Sequence, residues 1–214
     1  MSQNMTRRKK VIQQINDVSA RLNGDYVGGV AGLSRTTVRN CFVKCTLLGG
    51  DYIGGIVGAS EENTVVSGCY TLVDIPDPRR YSGAISGTED GEFLKNYYVS
   101  DTLAGLGRIS YFGKAEPISF EFLTQIDGLP EEMTQFTLQF LVEDEEIKSE
   151  SFSYGDSFGA DVFPAIPVKD GYYASWNTDD LTELHFDKTV TAEYERYVLT
   201  LPSRLLGKAG VRCF

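Results

Sequence analysis

Tyr26-Val27-Gly28-Gly29-Val30-Ala31-Gly32 recurs as Tyr52-Ile53-Gly54-Gly55-Ile56-Val57-Gly58, and more loosely as Tyr81-Ser82-Gly83-Ala84-Ile85-Ser86-Gly87. The three tyrosines are 26 and then 29 residues apart. A second landmark keeps nearly the same beat. Val38-Arg39-Asn40-Cys41-Phe42-Val43, Val66-Ser67-Gly68-Cys69-Tyr70-Thr71 and Leu94-Lys95-Asn96-Tyr97-Tyr98-Val99 follow one another in steps of 28. Two separate landmarks sharing a period mark an internal repeat, and a repeat decides the architecture before any single element does.

A glycine-flanked run with β-branched centres reads as a short buried strand whose glycines admit tight corners and close backbone approach. A unit of this length cannot cover its own apolar face, but stacked units cover one another. At about 3.3 Å per strand residue, each unit suffices for one turn of a narrow coil. Like residues then form ladders spaced about 4.8 Å apart. Tyr26, Tyr52 and Tyr81 are expected in one ladder, and Cys41, Cys69 and Tyr97 in another. The regular hairpin signals that a propeller fragment or a sandwich would need are missing from the repeats. The expectation is an all-β chain with a short right-handed parallel β-solenoid of about three coils over residues 25–116.

The run Tyr-Val/Ile-Gly-Gly-Ile/Val-Val/Ala-Gly, followed after about ten residues by an Asn/Gly-Cys/Tyr pair, resembles the GLUG motif. That motif belongs to repeat modules of large bacterial surface and secreted proteins. The resemblance covers about residues 24–113, with the third copy weakened at Ser82 and Ala84. It implies non-catalytic scaffolding or adhesion, and it transfers no catalytic residue.

After Tyr111-Phe112-Gly113 the period stops. Residues 117–134 read as a short helix or turn and a Pro-containing linker. Phe136, Leu138, Phe140 and Val142 then alternate with Thr137, Gln139 and Leu141 as a half-buried strand with one imperfect site. Glu143-Asp144-Glu145-Glu146 makes an acidic turn into Ile147–Phe152, and Tyr154-Gly155-Asp156 makes a second turn. Gly171–Trp176 and Thr189–Tyr194 are the remaining strands. Tyr154-Gly155, the Pro164/Pro167 pair, Lys169-x-Gly171-Tyr172, Trp176 and Val190-Thr191-Ala192-x-Tyr194 resemble internalin-type B repeats. Those are small β-grasp-like spacers or protein-binding units of bacterial surface proteins. The match covers about residues 135–196 of a module bounded at 135–197, with the acidic turn standing where a Gly-Gly is often found.

The chain of 214 residues has a net charge of −10, unevenly spread. Arg7, Arg8, Lys9, Lys10 and Arg21 face only Asp17 in residues 1–24, and the last eleven residues hold Arg204, Lys208 and Arg212 with no acid. Between these basic ends lies a body of net −17. An acidic body repels phosphate, which argues against nucleic acid as a partner. No stretch approaches the roughly 20 apolar residues of a spanning helix. The basic start lacks the apolar core of a signal peptide, since Gln13-Gln14 follows Val11-Ile12 at once. Val11, Ile12, Ile15, Val18 and Leu22 instead fall at helical spacing, so residues 1–24 are expected to cap the repeats with an amphipathic helix. Residues 198–214 form a basic tail without pattern. The change of character there, with no export signal, points to a piece of a longer surface protein.

Chemistry-bearing residues are sparse. Cys41 and Cys45 on one strand would be about 13 Å apart, too far to bridge. Cys41 and Cys69 fall in adjacent coils, where a stacked pair of buried thiols is favoured over a disulfide. Cys213 stands alone in the tail. With one histidine and no Cys-x-x-Cys pair, the ligand spacing of a structural zinc site is missing. His185 reads as a partly exposed strand residue. Glu143–Glu146 and Asp179-Asp180 lack calcium-loop spacing and read as solvated turns. The Gly-Gly pairs lack the Gly-Lys-Ser/Thr of a phosphate loop. The acids of the repeats are few, Asp25, Asp51, Glu61, Glu62, Asp74 and Asp77, and Asp25 and Asp51 take matching positions beside the tyrosines that fit a repeat corner better than an acid/base pair. No catalytic, cofactor-binding or metal residue is assigned.

The function expected is display or adhesion: a non-enzymatic module, outside the cell, binding an unidentified protein or glycan on a host or cell envelope. Tyr26, Tyr52 and Tyr81, or Tyr70 and Tyr98, are its candidate aromatic platforms, with a purely structural ladder as the plainer role. The alternative is a glycan-active β-helix enzyme, a lyase or hydrolase, which needs two carboxylates about 5–9 Å apart.

Overall fold

The computed structural model describes residues 24–197. The expected capping helix, the basic tail and Cys213 lie outside them. Strands dominate, one short α-helix is present among the described residues, and no barrel closes.

The first repeat supplies β1 (Tyr26–Gly28), β2 (Ala31–Ser34), β3 (Thr37–Arg39) and β4 (Phe42–Thr46). The second supplies β5 (Tyr52–Gly54), β6 (Val57–Ser60), β7 (Val65–Ser67) and β8 (Tyr70–Asp74). The third supplies β9 (Tyr81–Gly83), β10 (Glu92–Leu94) and β11 (Asn96–Val99), and β12 (Ala115–Pro117) follows. Equivalent strands pair in parallel, layer on layer: β1-β5-β9, β2-β6, β3-β7-β10 and β4-β8-β11-β12. Tyr26, Tyr52 and Tyr81 are register partners, and their rings stack at 4.8 and 4.6 Å within 10° of parallel. The glycines make this closeness possible. A Cβ on Gly54 would sit 1.9 Å from the Val57 carbonyl oxygen and 2.8 Å from Ser86 Cα in the next layer.

The second expected ladder holds from Cys41 to Cys69 and slips by one residue at the third layer. Phe42, Tyr70 and Tyr97 are partners, with ring centroids 5.3 Å apart at each step, so Cys69 meets Asn96 rather than Tyr97. The cause is the corner joining each pair of strands. It is turned by a residue in the left-handed region: Asn40 (φ 53°), Gly68 (φ 61°) and Lys95 (φ 53°). Lys95, not Asn96, is therefore the equivalent of Asn40. Fully buried Asn96 instead accepts from the Cys69 backbone N–H at 3.1 Å and donates to Val66 O and Lys114 O at 2.9 Å each. A slip of one residue flips strand side chains to the other face. Tyr98 accordingly points inward, 2% exposed, with its hydroxyl 2.6 Å from Ser110 Oγ. It offers no surface platform.

The interior of the stack is filled by Val43, Ile53, Ile56, Val66, Ile85 and Phe93, among others. A partial fourth layer covers its far end, where Ala84 N and Ile85 N donate to Ala104 O and Gly105 O at 2.7 and 2.9 Å.

Residues 117–134, expected as a linker, contribute to a second core. The helix α1 (Phe120–Thr124) is capped by Ser119, whose hydroxyl accepts from Phe122 N at 3.1 Å. Leu123 and Met133 are buried in that core. The sheet beside it comprises β13 (Phe136–Val142), β14 (Glu145–Phe152), β15 (Tyr172–Trp176) and β16 (Lys188–Arg196), in the order β14-β13-β16-β15. β13 and β16 run parallel at the centre, and each has an antiparallel partner outside. Along β13 every second residue is buried, and Phe140 meets Phe163 and Trp176 edge-on at 5.5 and 5.3 Å. The acidic turn is only two residues long, Glu143 (φ 51°) and Asp144 (φ 68°), so Glu145 and Glu146 belong to β14.

Candidate functional site

One sheet of the stack is covered on both faces. In β4, β8 and β11 the inward residues Val43, Thr71 and Tyr98 alternate with the outward column Lys44, Leu72 and Val99, which are register partners across the layers. Leu72 and Val99 are buried in the second core, against the mixed sheet. Lys44 completes the column as a buried cation. Its ammonium donates to the backbone oxygen of Gln135, lies 2.9 Å from the Asp187 carboxylate and stands 4.2 Å over the Phe136 ring. A buried charge is tolerated only when so compensated, and the ring face adds cation–π attraction.

Beside this contact lies a cleft of about 700 Å3. The stack contributes Thr46 and Asp74, the next outward column, and Asp101 beyond the end of β11. The sheet contributes Thr137, Gln139, Lys188, Thr189 and Thr191, and the loop ahead of β16 contributes Glu183–Asp187. Asp74 is half-buried, and desolvation pushes its carboxyl above the usual range while Lys188 pulls the other way. Burial, and then the charge of Asp101, raise the Tyr154 phenol. The arrangement can bind polar ligands through carboxylates, an amide and hydroxyls that converge from two modules.

His185 is not on a strand. It lies half-buried in the loop that lines the cleft, stacked 4.3 Å from Tyr154, whose other face is covered by Phe120 at 4.1 Å. Tyr154 therefore offers no free ring face.

The tyrosine ladder is placed as expected, but stacking closes its ring faces against one another. A sugar packs on an aromatic face, and both faces of Tyr52 are closed, so apart from the outer faces of Tyr26 and Tyr81 the ladder presents edges where a platform would need planes. The Arg80 guanidinium lies 5.1 Å from the Tyr81 ring. The edges of Phe42, Tyr70 and Tyr97 line a shallower hollow of about 470 Å3 with Asn40, Lys95 and Gln125. Asp25 and Asp51 are exposed beside the ladder, and the Asp25 carbonyl accepts from Tyr52 N at 2.7 Å. The acidic turns satisfy themselves. Glu143 pairs with Lys169 at 2.6 Å, and Asp180 accepts from the Thr182 hydroxyl and N–H at 2.6 and 3.2 Å, which holds its carboxyl low.

Cys41, Cys45 and Cys69 are free thiols and buried. Among the described residues no group of three or more His, Cys, Asp or Glu side chains could hold a metal ion, and no helix is long and apolar enough to cross a membrane. The residues missed in the sequence are Lys44, Leu72 and Val99, and with them Asp101, while Asp74 stands among the acids of the repeats without a place in a cleft. Their only signal is the run Thr71-Leu72-Val73, which is buried without alternation, as in a strand covered on both sides. Comparison of the chain with protein-family models, with curated proteins and with solved structures finds no match.

Proposed function

We propose that the chain is a non-catalytic display or adhesion module of a bacterial surface or secreted protein. In this reading the stack is a short right-handed parallel β-solenoid of GLUG type, and residues 135–197 are a β-grasp-like spacer of the internalin B-repeat kind. Parallel in-register layers support the first assignment. The central parallel pair β13/β16 flanked by antiparallel partners supports the second. The observation that carries the functional reading is the outward column Lys44-Leu72-Val99. It packs the stack against the sheet as one stiff body, with the two-walled cleft held open beside it. A rigid body presenting a polar cleft suits capture of a glycan or protein segment outside the cell.

Asp74 favours one other reading, a glycan-active enzyme, because a half-buried carboxyl with a raised pKa suits a general acid and Asp101 is in the following layer. A single assay separates the two. The chain is incubated with a panel of purified polysaccharides, and both retention on the immobilised polymer and release of reducing or unsaturated ends are measured. Retention without product, weakened by Asp74→Lys, is the expected result. Product formation abolished by Asp74→Asn would replace the display reading with the enzymatic one.

A further inference from the structure

Cys41 and Cys69 occupy the same position in the first two layers of the stack. Each follows the left-handed corner residue of its repeat, Asn40 or Gly68, and directly precedes a register pair, Phe42 and Tyr70. Tyr70 N donates to Cys41 O at 2.8 Å, so the two backbones are neighbours at this point. Their side chains also share one orientation. Cys41 Sγ lies 3.4 Å from the carbonyl oxygen of Arg39, and Cys69 Sγ lies 3.5 Å from the equivalent oxygen of Ser67. Parallel neighbours about 4.8 Å apart fall inside the Cα range of a disulfide, about 4.4–6.8 Å, and just outside its Cβ range, about 3.5–4.5 Å, so closure draws the two corners together by roughly half an ångström.

We propose that Cys41 and Cys69 are an oxidation site, closing a disulfide that staples the first layer of the stack to the second. The proposal is independent of the display reading, since it rests on the register alone. The other thiol of the stack is unsuited. Cys45 has Val73 as its partner in the next layer, and burial pushes its thiol up to about 12. The third layer ends the series, because Asn96 stands where a third cysteine would be.

The pair also divides the chemical roles. Contact with Cys69 lowers the Cys41 thiol, and the same contact together with burial raises Cys69. Cys41, 5% exposed where Cys69 is fully buried, is the attacking sulfur. Its thiolate attacks a low-molecular-weight disulfide such as glutathione disulfide, forming a mixed disulfide and releasing one glutathione thiolate. Rotation about χ1 then brings Cys69 onto Cys41 Sγ. The Cys41–Cys69 bond forms as the second glutathione leaves, taking up the protons the two thiols lose. Two electrons pass to glutathione disulfide, and the chain loses two hydrogens.

The test uses the full chain, incubated with glutathione disulfide and then alkylated. Its four cysteines should fall to two titratable thiols, with a mass lower by two hydrogens. Cleavage with trypsin and an Asp-N-type protease puts Cys41 in residues 40–44, Cys45 in 45–50 and Cys69 in 51–73. The expected product links 40–44 to 51–73, vanishes in Cys69→Ser, and raises the melting temperature of the parent but not of that variant. Four remaining thiols, a stable glutathione adduct, or a link from 40–44 to 45–50 or to Cys213 would each overturn the proposal.

Discussion

In the stack, the residue above or below any position is the same position of another repeat, and the contact is backbone to backbone. In the sheet of β13–β16, each strand meets a different partner, and the contacts are made by side chains around an aromatic core. The difference shows in what each region cannot tolerate. The stack accepts Phe, Tyr or Cys along its ladders but has no room for one extra carbon at its glycine rows. The sheet depends on alternation along β13 and on rings such as Phe140 meeting Phe163 and Trp176. Order in one region is enforced by the absence of side chains, and in the other by their shape.

The strongest way to break that contrast is Gly54→Ala. The new Cβ meets Val57 O at 1.9 Å within its own layer and backbone of the third layer on the other side, so no side-chain rotation relieves it. A loss of about 4 kcal/mol is expected, at the upper end of single substitutions. Gly24→Ala, with nothing within 4 Å of its Cβ, should change stability by less than about 0.5 kcal/mol. Equal effects of the two in urea unfolding would show that close approach is not what selects glycine.

The same contrast explains what was legible in the sequence. Glycine and tyrosine rows announce themselves because stacked backbones demand the same residue in each layer. The left-handed corner is filled by Asn, Gly and Lys in turn, so aligning Asn96 with Asn40 moved the third layer by one residue and put Tyr98 on the wrong face. The outward column was hidden for a different reason. Lys44, Leu72 and Val99 face a partner that does not repeat, so the residues differ from layer to layer and leave no period. The cleft, assembled from residues as distant as Asp74 and Thr189, exists only after that packing.

Lys44→Met tests how the two regions are joined. Methionine preserves apolar contact with Phe136 but removes the hydrogen bond to Gln135 and the ion pair with Asp187. Loss of a charge-assisted hydrogen bond predicts destabilisation of about 2 kcal/mol. Trp176, the single tryptophan, is in β15 and reports on the sheet, whereas circular dichroism reports on both regions. The two probes should still give one coincident transition, because Leu72 and Val99 remain buried in the shared core. Separate midpoints would mean that the polar contact, and not the apolar one, couples stack to sheet.

A smaller effect, and one of opposite sign, is expected at the hairpin between β13 and β14. Two-residue loops with positive φ at both positions are type I′ turns, for which Asn-Gly is the favoured pair. Here the pair is Glu143-Asp144, and a non-glycine side chain in this conformation costs about 1 kcal/mol. The double change Glu143→Asn and Asp144→Gly relieves that strain and thins the acid cluster. It also removes the Glu143–Lys169 pair, an exposed contact that contributes about 0–1 kcal/mol. The net expectation is a gain of up to about 1 kcal/mol, read as a higher urea midpoint with an unchanged slope. The comparison turns on the sign. A gain places this turn with the corners of the stack, where backbone conformation decides which residue fits. A loss would show that Lys169, reaching across from the segment before β15, holds the sheet's edge through Glu143, and that side-chain pairing governs the sheet even at its turns.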